Sequence, residues 1–241
     1  MAVALRLIDN DGLPARCREC PCRRDGFCAS LAPGELAKLH PHLVRKKLPA
    51  GDAIMQQGEA NSFYVHVLQG TVKLASEMQD GMEQIVGLRY AGDFLGQRFT
   101  QEFGFTAEAS SDVELCKVPK ASLDALADSS TRVAHLMHRQ VASELEETRG
   151  WMLSLAQRDA RQKVASLLYG IARRQPASAG AVKFELPLSR AEIANYLGLT
   201  IETISRQFSL LKRDGIIRIE RTTHITIDDM GALAASAGIH A

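Results

Sequence analysis

The stretch from Leu188 to Gly215 constrains this chain more than any other. Leu188-Ser189-Arg190-Ala191-Glu192-Ile193 reads as a capping box. The Ser189 hydroxyl takes the Glu192 N–H, Glu192 reaches back to the Ser189 N–H, and Leu188 and Ile193 are spaced to close a hydrophobic staple. A helix therefore starts at Ser189. It ends at Gly198, Thr200 caps a second helix over 201–213, and Gly215 stops that one. Two short helices about a tight glycine turn make a helix-turn-helix.

In the second helix Ile201, Ile204, Phe208 and Leu211 step by three, four and three, which predicts one apolar face for a core. Glu202, Ser205, Arg206 and Ser209 occupy the opposite face. An arginine can bond a guanine edge through two parallel hydrogen bonds, and a carboxylate can accept from a cytosine amino group. On an isolated helix, Glu202 and Arg206 would be read as a surface pair worth a few tenths of a kcal/mol. Here the capped helix before them and the isoleucine-rich hairpin after them, Ile216 to Ile227, favour major-groove reading.

Charge agrees with that placement. Lys and Arg number 29 and Asp and Glu 28, so no uniformly basic coat exists. Residues 1–150 carry 17 basic and 20 acidic side chains, residues 151–241 carry 12 and 8, so the C-terminal part is the better partner for phosphate. No stretch approaches 18 uninterrupted apolar residues, and Asp9 and Asp11 interrupt the start before a signal-peptide core could form. The expectation is a cytoplasmic protein with no membrane partner.

At roughly 100 to 200 residues per domain, 241 residues argue for two domains. After a short helix over 34–40, residues 45–120 read as short strands punctuated at Gly51, Gly58, Gly70, Asp80-Gly81 and Gly92. Phe63, Val65 and Val67 alternate with Tyr64, His66 and Leu68, which predicts a strand buried on one face and partly on the other. An antiparallel barrel or roll follows. From Ser129, Ala134, Met137, Val141, Leu145, Thr148, Met152 and Leu155 form a coiled-coil seam about 37 Å long, which favours pairing with a second copy over packing along the chain's own barrel. Gly150 weakens that helix by about 1 kcal/mol. A further helix over 161–174 and a loop over 175–180 lead into the helix-turn-helix.

Four of five cysteines, Cys17, Cys20, Cys22 and Cys28, fall within twelve residues, and Cys116 stands apart. In a reducing compartment such spacing suggests metal. Four loop thiols suffice in number for zinc, although Cys20-Pro21-Cys22 leaves a single residue between ligands. An iron-sulfur cluster would take three loop thiols and a distant fourth, for which Cys116 is available. Arg16, Arg18, Arg23 and Arg24 share the loop and could offset the cluster's charge, or simply solvate it. A thiol-redox protein, and a haem or nitric-oxide sensor using His66, are the remaining alternatives. The seven histidines are scattered and no catalytic constellation is present, so an enzyme is not expected.

Cys17, Cys20, Cys28, Cys116, the strand-region glycines, the long helix and Thr200-Ile201-Glu202-Thr203-Ile204-Ser205-Arg206 together resemble the FNR branch of the CRP/FNR family of bacterial transcription regulators, over residues 17–230. The resemblance implies an α+β chain: an N-terminal antiparallel β-roll of the cyclic-nucleotide-binding type, a long dimerisation helix and a C-terminal winged helix-turn-helix. It implies a cysteine-rich cluster segment over 1–32, a sensor roll over 33–128, a dimerisation helix over 129–157 and a DNA-binding domain over 158–241. It further implies a [4Fe-4S] cluster on Cys17, Cys20, Cys28 and Cys116 that promotes a homodimer without oxygen. That dimer would bind a TTGAT-type palindrome through Glu202, Ser205 and Arg206 in major grooves about 34 Å apart, with RNA polymerase as a partner. Cys22-x5-Cys28 also matches the family's interval before the third loop cysteine, so Cys22 is an extra thiol able to take the place of Cys20. Cys20 keeps the two-residue step from Cys17 and is assigned here. The cyclic-nucleotide branch binds a phosphate with an Arg-Ser pair and a ribose with a Glu. Those positions hold Phe103-Gly104 and Gln97 here, so no cyclic nucleotide is expected.

Overall fold

Strand β3, Phe63–Gln69, is buried on both faces, and each face serves a different core. The computed structural model of the chain describes residues 15–23, 26–79, 81–175 and 180–239. Around β3 run β1 (Val44–Leu48), β2 (Ala53–Met55), β4 (Thr71–Glu77), β5 (Glu83–Tyr90), β6 (Phe94–Leu95), β7 (Thr106–Ala109) and β8 (Val113–Pro119). They form two antiparallel four-stranded sheets, ordered β1-β8-β3-β6 and β2-β7-β4-β5, the expected β-roll. Because side chains alternate along a strand, Val65 and Val67 of β3 point with Leu115 of β8 into the interior of the roll. Tyr64, Leu68 and Cys116 point to the outside, where the cysteine segment and helices cover them. The expectation of partial burial on that second face is thus corrected: the N-terminal segment closes over it.

Close packing on the outer face is visible at Gly96, whose φ is 125° and where an added Cβ would lie 2.5 Å from the Tyr64 ring. The buried Tyr64 hydroxyl donates to Asp124 at 2.6 Å, which satisfies its one polar atom. Between β4 and β5 the expected hairpin forms, with Gly81 at φ 78° and Met78 N–H bonded to the Met82 carbonyl at 2.8 Å. Asp80 of that turn lies outside the described residues, as do 176–179 of the loop expected at 175–180.

Helix α1 (Ala15–Arg18) and two 3-10 turns, Pro21–Arg23 and Phe27–Ser30, carry Cys17, Cys22 and Cys28, with Cys20 in the link between the first two. Helix α2 (Pro33–Leu39) follows, and α3 (Lys120–Ser129) leaves β8. The strand pattern read from sequence carries no signal for α3. Ser130, at φ −135° and ψ 105°, breaks the chain before α4 (Thr131–Gln157), a helix of 27 residues. The expected start at Ser129 is therefore two residues early, because Ser129 closes the preceding helix.

The chain divides into two units between Leu145 and Glu146. The second contains α5 (Ala160–Ala172), β9 (Val182–Glu185), α6 (Arg190–Leu197), α7 (Ile201–Arg213), β10 (Arg218–Glu220), β11 (His224–Ile227) and α8 (Met230–Ser236). Ser189 accepts from Glu192 N–H at 3.2 Å and Glu192 accepts from Ser189 N–H at 2.8 Å, so the capping box is present as read. Gly198 takes the left-handed cap at φ 62°, and Thr200 accepts from Thr203 N–H. The three strands pair in the order β10-β11-β9 and form the wing. Among the described residues no helix is long and apolar enough to cross a membrane.

Candidate functional site

The outer face of the first sheet carries a row of side chains whose pairing is fixed by strand register. Arg45 on β1 lies opposite Cys116 on β8, Cys116 opposite His66 on β3, and His66 opposite Phe94 on β6. The cysteine segment lies over this row, and all five cysteines line a single pocket together with Arg23, Arg45 and His66. Cys17, Cys22 and Cys116 are buried and Cys20 and Cys28 half-buried, none in a disulfide. The sequence-assigned set of Cys17, Cys20, Cys28 and Cys116 is thus brought together, with Cys22 beside it.

Local structure explains the gathering. Cys20 and Arg23 close a turn through Arg23 N–H to the Cys20 carbonyl at 2.9 Å. The Arg23 guanidinium donates to the carbonyls of Cys28 at 2.8 Å and Leu31 at 3.4 Å, clamping one 3-10 turn onto the next. Gly26 permits it: an added Cβ would lie 3.0 Å from the Cys22 Cβ. Cys22 is only 1% exposed, with its Sγ 3.7 Å from the Val67 carbonyl.

The thiols differ in acidity. A hydrogen bond from Cys22, helped by the Arg45 charge and opposed by burial, brings Cys20 down to about 6. Cys22 is pushed up, as donor in that bond and by burial. Burial first, then the neighbouring sulfurs of Cys116, Cys20 and Cys17, pushes Cys28 up to about 12. Its Sγ lies 3.8 Å from Nε2 of His66, whose complete burial brings the imidazole down to about 3.

The donor chemistry fits an iron-sulfur group: several soft sulfur ligands in one pocket, two guanidiniums among them and leucines filling out the lining. Among the described residues no three His, Cys, Asp or Glu side chains converge closely enough to hold a metal ion as they stand. The two readings of the loop arginines divide between residues. Arg23 lines the pocket, where its charge acts on Cys28 while its Nη1 donates to carbonyls, and Arg18 is exposed as a solvating residue would be. Arg24 and the side chain of Arg16 lie outside the described residues. The cation that sequence reasoning missed is Arg45, recognisable only from strand register.

A second feature links the segment to the long helix. Glu35 accepts from Ala32 N–H at 2.9 Å and from the Ser130 hydroxyl at 2.9 Å, and pairs with Arg132. Arg132 also donates to the Ser30 carbonyl at 2.5 Å. Val133 and Met137 of α4 share the apolar cluster of Cys17, Cys22 and Cys116. Met137 therefore faces its own roll. Further along the predicted seam, Val141, Leu145 and Met152 are 57%, 47% and 64% exposed.

In the second unit Glu202, Ser205 and Arg206 are exposed on α7, with Ser209 beside them, while Ile204, Phe208 and Leu211 are buried. Ile201 departs from the expected core face: it is 49% exposed, because the first turn of α7 extends past the apolar face, and Gln207 is buried in the helix instead. Arg190, at the start of α6, stacks its guanidinium 3.3 Å above the Phe208 ring and donates to Thr222 in the wing turn at 3.4 Å.

Known proteins match both units. A Crp-like helix-turn-helix domain matches residues 162–236 and a cyclic nucleotide-binding domain matches 45–130. The chain is 44% identical over 234 residues to a Rhizobium leguminosarum bv. viciae protein named "Probable transcriptional activator", covering 97% of this chain and 98% of that one. It is 37% identical over 228 residues to the transcriptional activator protein FnrL of Cereibacter sphaeroides, covering 92% of each. The structure of FixK2 from Bradyrhizobium japonicum is similar with a TM-score of 0.75 and 29% identity, covering 83% of this chain and 99% of that one.

Proposed function

The chain belongs to the CRP/FNR family of transcription regulators, and on that premise we propose that it is an oxygen-responsive homodimer whose DNA binding depends on a [4Fe-4S] cluster. Its relatives are transcription regulators and not enzymes. Residues 1–32 are read as the cluster segment, 33–128 as the sensor roll, 129–157 as the dimerisation helix and 158–241 as the DNA-binding domain. Above all, the reading is supported by the meeting of Cys116 with Cys17, Cys20 and Cys28 in one pocket.

Those four thiolates would hold the group. When bound, it supplies an oxygen-labile iron-sulfur core. Arg45 offsets the negative charge of the thiolates from the neighbouring strand, and Phe27 and Phe94, stacked with centroids 5.0 Å apart, share the apolar cluster of Cys17, Cys22 and Cys116. Glu35 and Arg132 fasten the cysteine segment to the first turn of α4, so the posture of the segment bears on the helix. Val141, Leu145 and Met152 offer that helix's apolar seam to a second copy. In the DNA-binding unit Glu202, Ser205 and Arg206 read base edges of a palindromic site, and Lys212 meets phosphate. RNA polymerase is the further partner at promoters, and the working compartment is the cytoplasm. Phe103, buried in the interior of the roll, stands where a nucleotide phosphate would need an arginine, which supports an effector other than a cyclic nucleotide.

Anaerobic purification followed by an oxygen titration tests this. The expected sample is brown, carries about four iron and four sulfide per chain, and loses its visible absorption and its DNA affinity together. Colourless protein with one zinc per chain would overturn the reading.

A further inference from the structure

We propose that His66 is a positioning residue of the thiol pocket, donating its Nε2–H to the sulfur of Cys28 and so setting how long the bound iron-sulfur group survives air. The inference rests on the cluster reading above.

His66 is 1% exposed in a strand whose other outward residues, Tyr64 and Leu68, build an apolar cluster. A polar ring at such a position is costly unless it is hydrogen-bonded. Its surroundings offer little: the rings of Phe27 and Phe94 lie 5.8 and 4.7 Å away, inclined at 42° and 59°, and fix the plane of the imidazole. Nδ1 has no partner among the described residues. Nε2 has one, the Cys28 Sγ at 3.8 Å. An orphaned buried N–H is rarer than an orphaned lone pair, so a neutral ring puts its single proton on Nε2, facing the sulfur.

That bond is weak to a thiol and stronger to a thiolate, because hydrogen bonds to charged acceptors are roughly twice as strong as neutral ones. His66 therefore favours Cys28 in its metal-bound form. Cross-strand pairing also sets His66 directly opposite Cys116, on the same face of the sheet. Hydrogen bonds to cluster sulfurs help set reduction potential. A donated proton stabilises the electron-rich state, so it slows oxidation.

The test uses the full chain and two variants, His66→Leu and His66→Gln, each reconstituted anaerobically with iron and sulfide. Iron content, a redox titration and the decay of visible absorption in air are measured, with far-UV circular dichroism to confirm the fold. His66→Leu should bind iron yet decay about three to ten times faster. His66→Gln, which carries an N–H at similar reach, should decay within about twofold of the native protein. A leucine variant that holds no iron while the glutamine variant does also supports the donor role. Native decay and potential in His66→Leu overturn it, as does loss of iron from both variants, which would assign the role to ring shape. Native protein that takes up no iron overturns the cluster reading, and this inference falls with it.

Discussion

Arg206 and Lys212 leave the same helix on its exposed side and answer to different parts of a duplex. Arg206→Ala should weaken binding to the cognate palindrome by about 1–3 kcal/mol and flatten the preference at one base pair, whereas Lys212→Ala should weaken all sequences alike. Competition binding with single-base variants separates the two; full discrimination by the Arg206 variant would show that the reading face is elsewhere. In the pocket the question is which of two neighbouring thiols ligates. Cys22 is enclosed and directed toward the Val67 carbonyl, whereas Cys20 is half-buried in the sphere of Arg45. Cys22→Ser should therefore retain iron after anaerobic reconstitution and Cys20→Ser should lose it. The reverse pattern would exchange their roles.

At the scale of elements, α4 carries two separable features. Gly150 is exposed within the helix, and nothing lies within 4 Å of an added Cβ. Gly150→Ala should raise thermal stability by about 0.5–1 kcal/mol, read by calorimetry, through the backbone entropy of the unfolded chain. The start of α4 depends on Glu35, whose carboxyl is held below its usual range: burial opposes the shift, but hydrogen bonds from Ala32, Ser130 and Arg132 outweigh it. A depressed carboxylate contributes stability above its unfolded value and loses it as pH falls through the folded one. Native protein should accordingly lose stability on acidification below the ordinary carboxylate range, and Glu35→Gln should reduce that loss; an unchanged acid profile would disprove it. The elements written in adjacent residues were legible beforehand. The capping box at Ser189 and Glu192, the glycine at 198 and the Thr200 cap each act within four residues, so sequence spacing carries the whole signal. The position of Arg45 and the contacts of Glu35 were not, because they depend on strand register or on residues roughly a hundred positions apart, and α3, though local, follows Pro119 with no side-chain cap to announce it. Met137 illustrates the difference: its periodicity is that of the seam, and only packing against the cysteine segment turns it inward.

For the whole molecule, the exposed seam of α4 is the feature that a single chain leaves unpaid. Val141, Leu145 and Met152 keep about half or more of their surface in water, at steps of four and seven residues that a partner helix would interlock with. Fully burying side chains of this size contributes about 1.5–3 kcal/mol each, and a homodimer carries two copies of the reading helix, one for each half of a palindrome. A charge at the middle of the seam should undo this without unfolding either unit, since Leu145 is already 47% exposed. Leu145→Glu is expected to sediment as a monomer under anaerobic conditions while keeping native circular dichroism. Its affinity for the full palindrome should fall toward that for a half-site, because two linked contacts become two independent ones. If the variant still sediments as a dimer and binds the palindrome normally, the subunits meet through a different surface, and the exposed residues of α4 need another explanation.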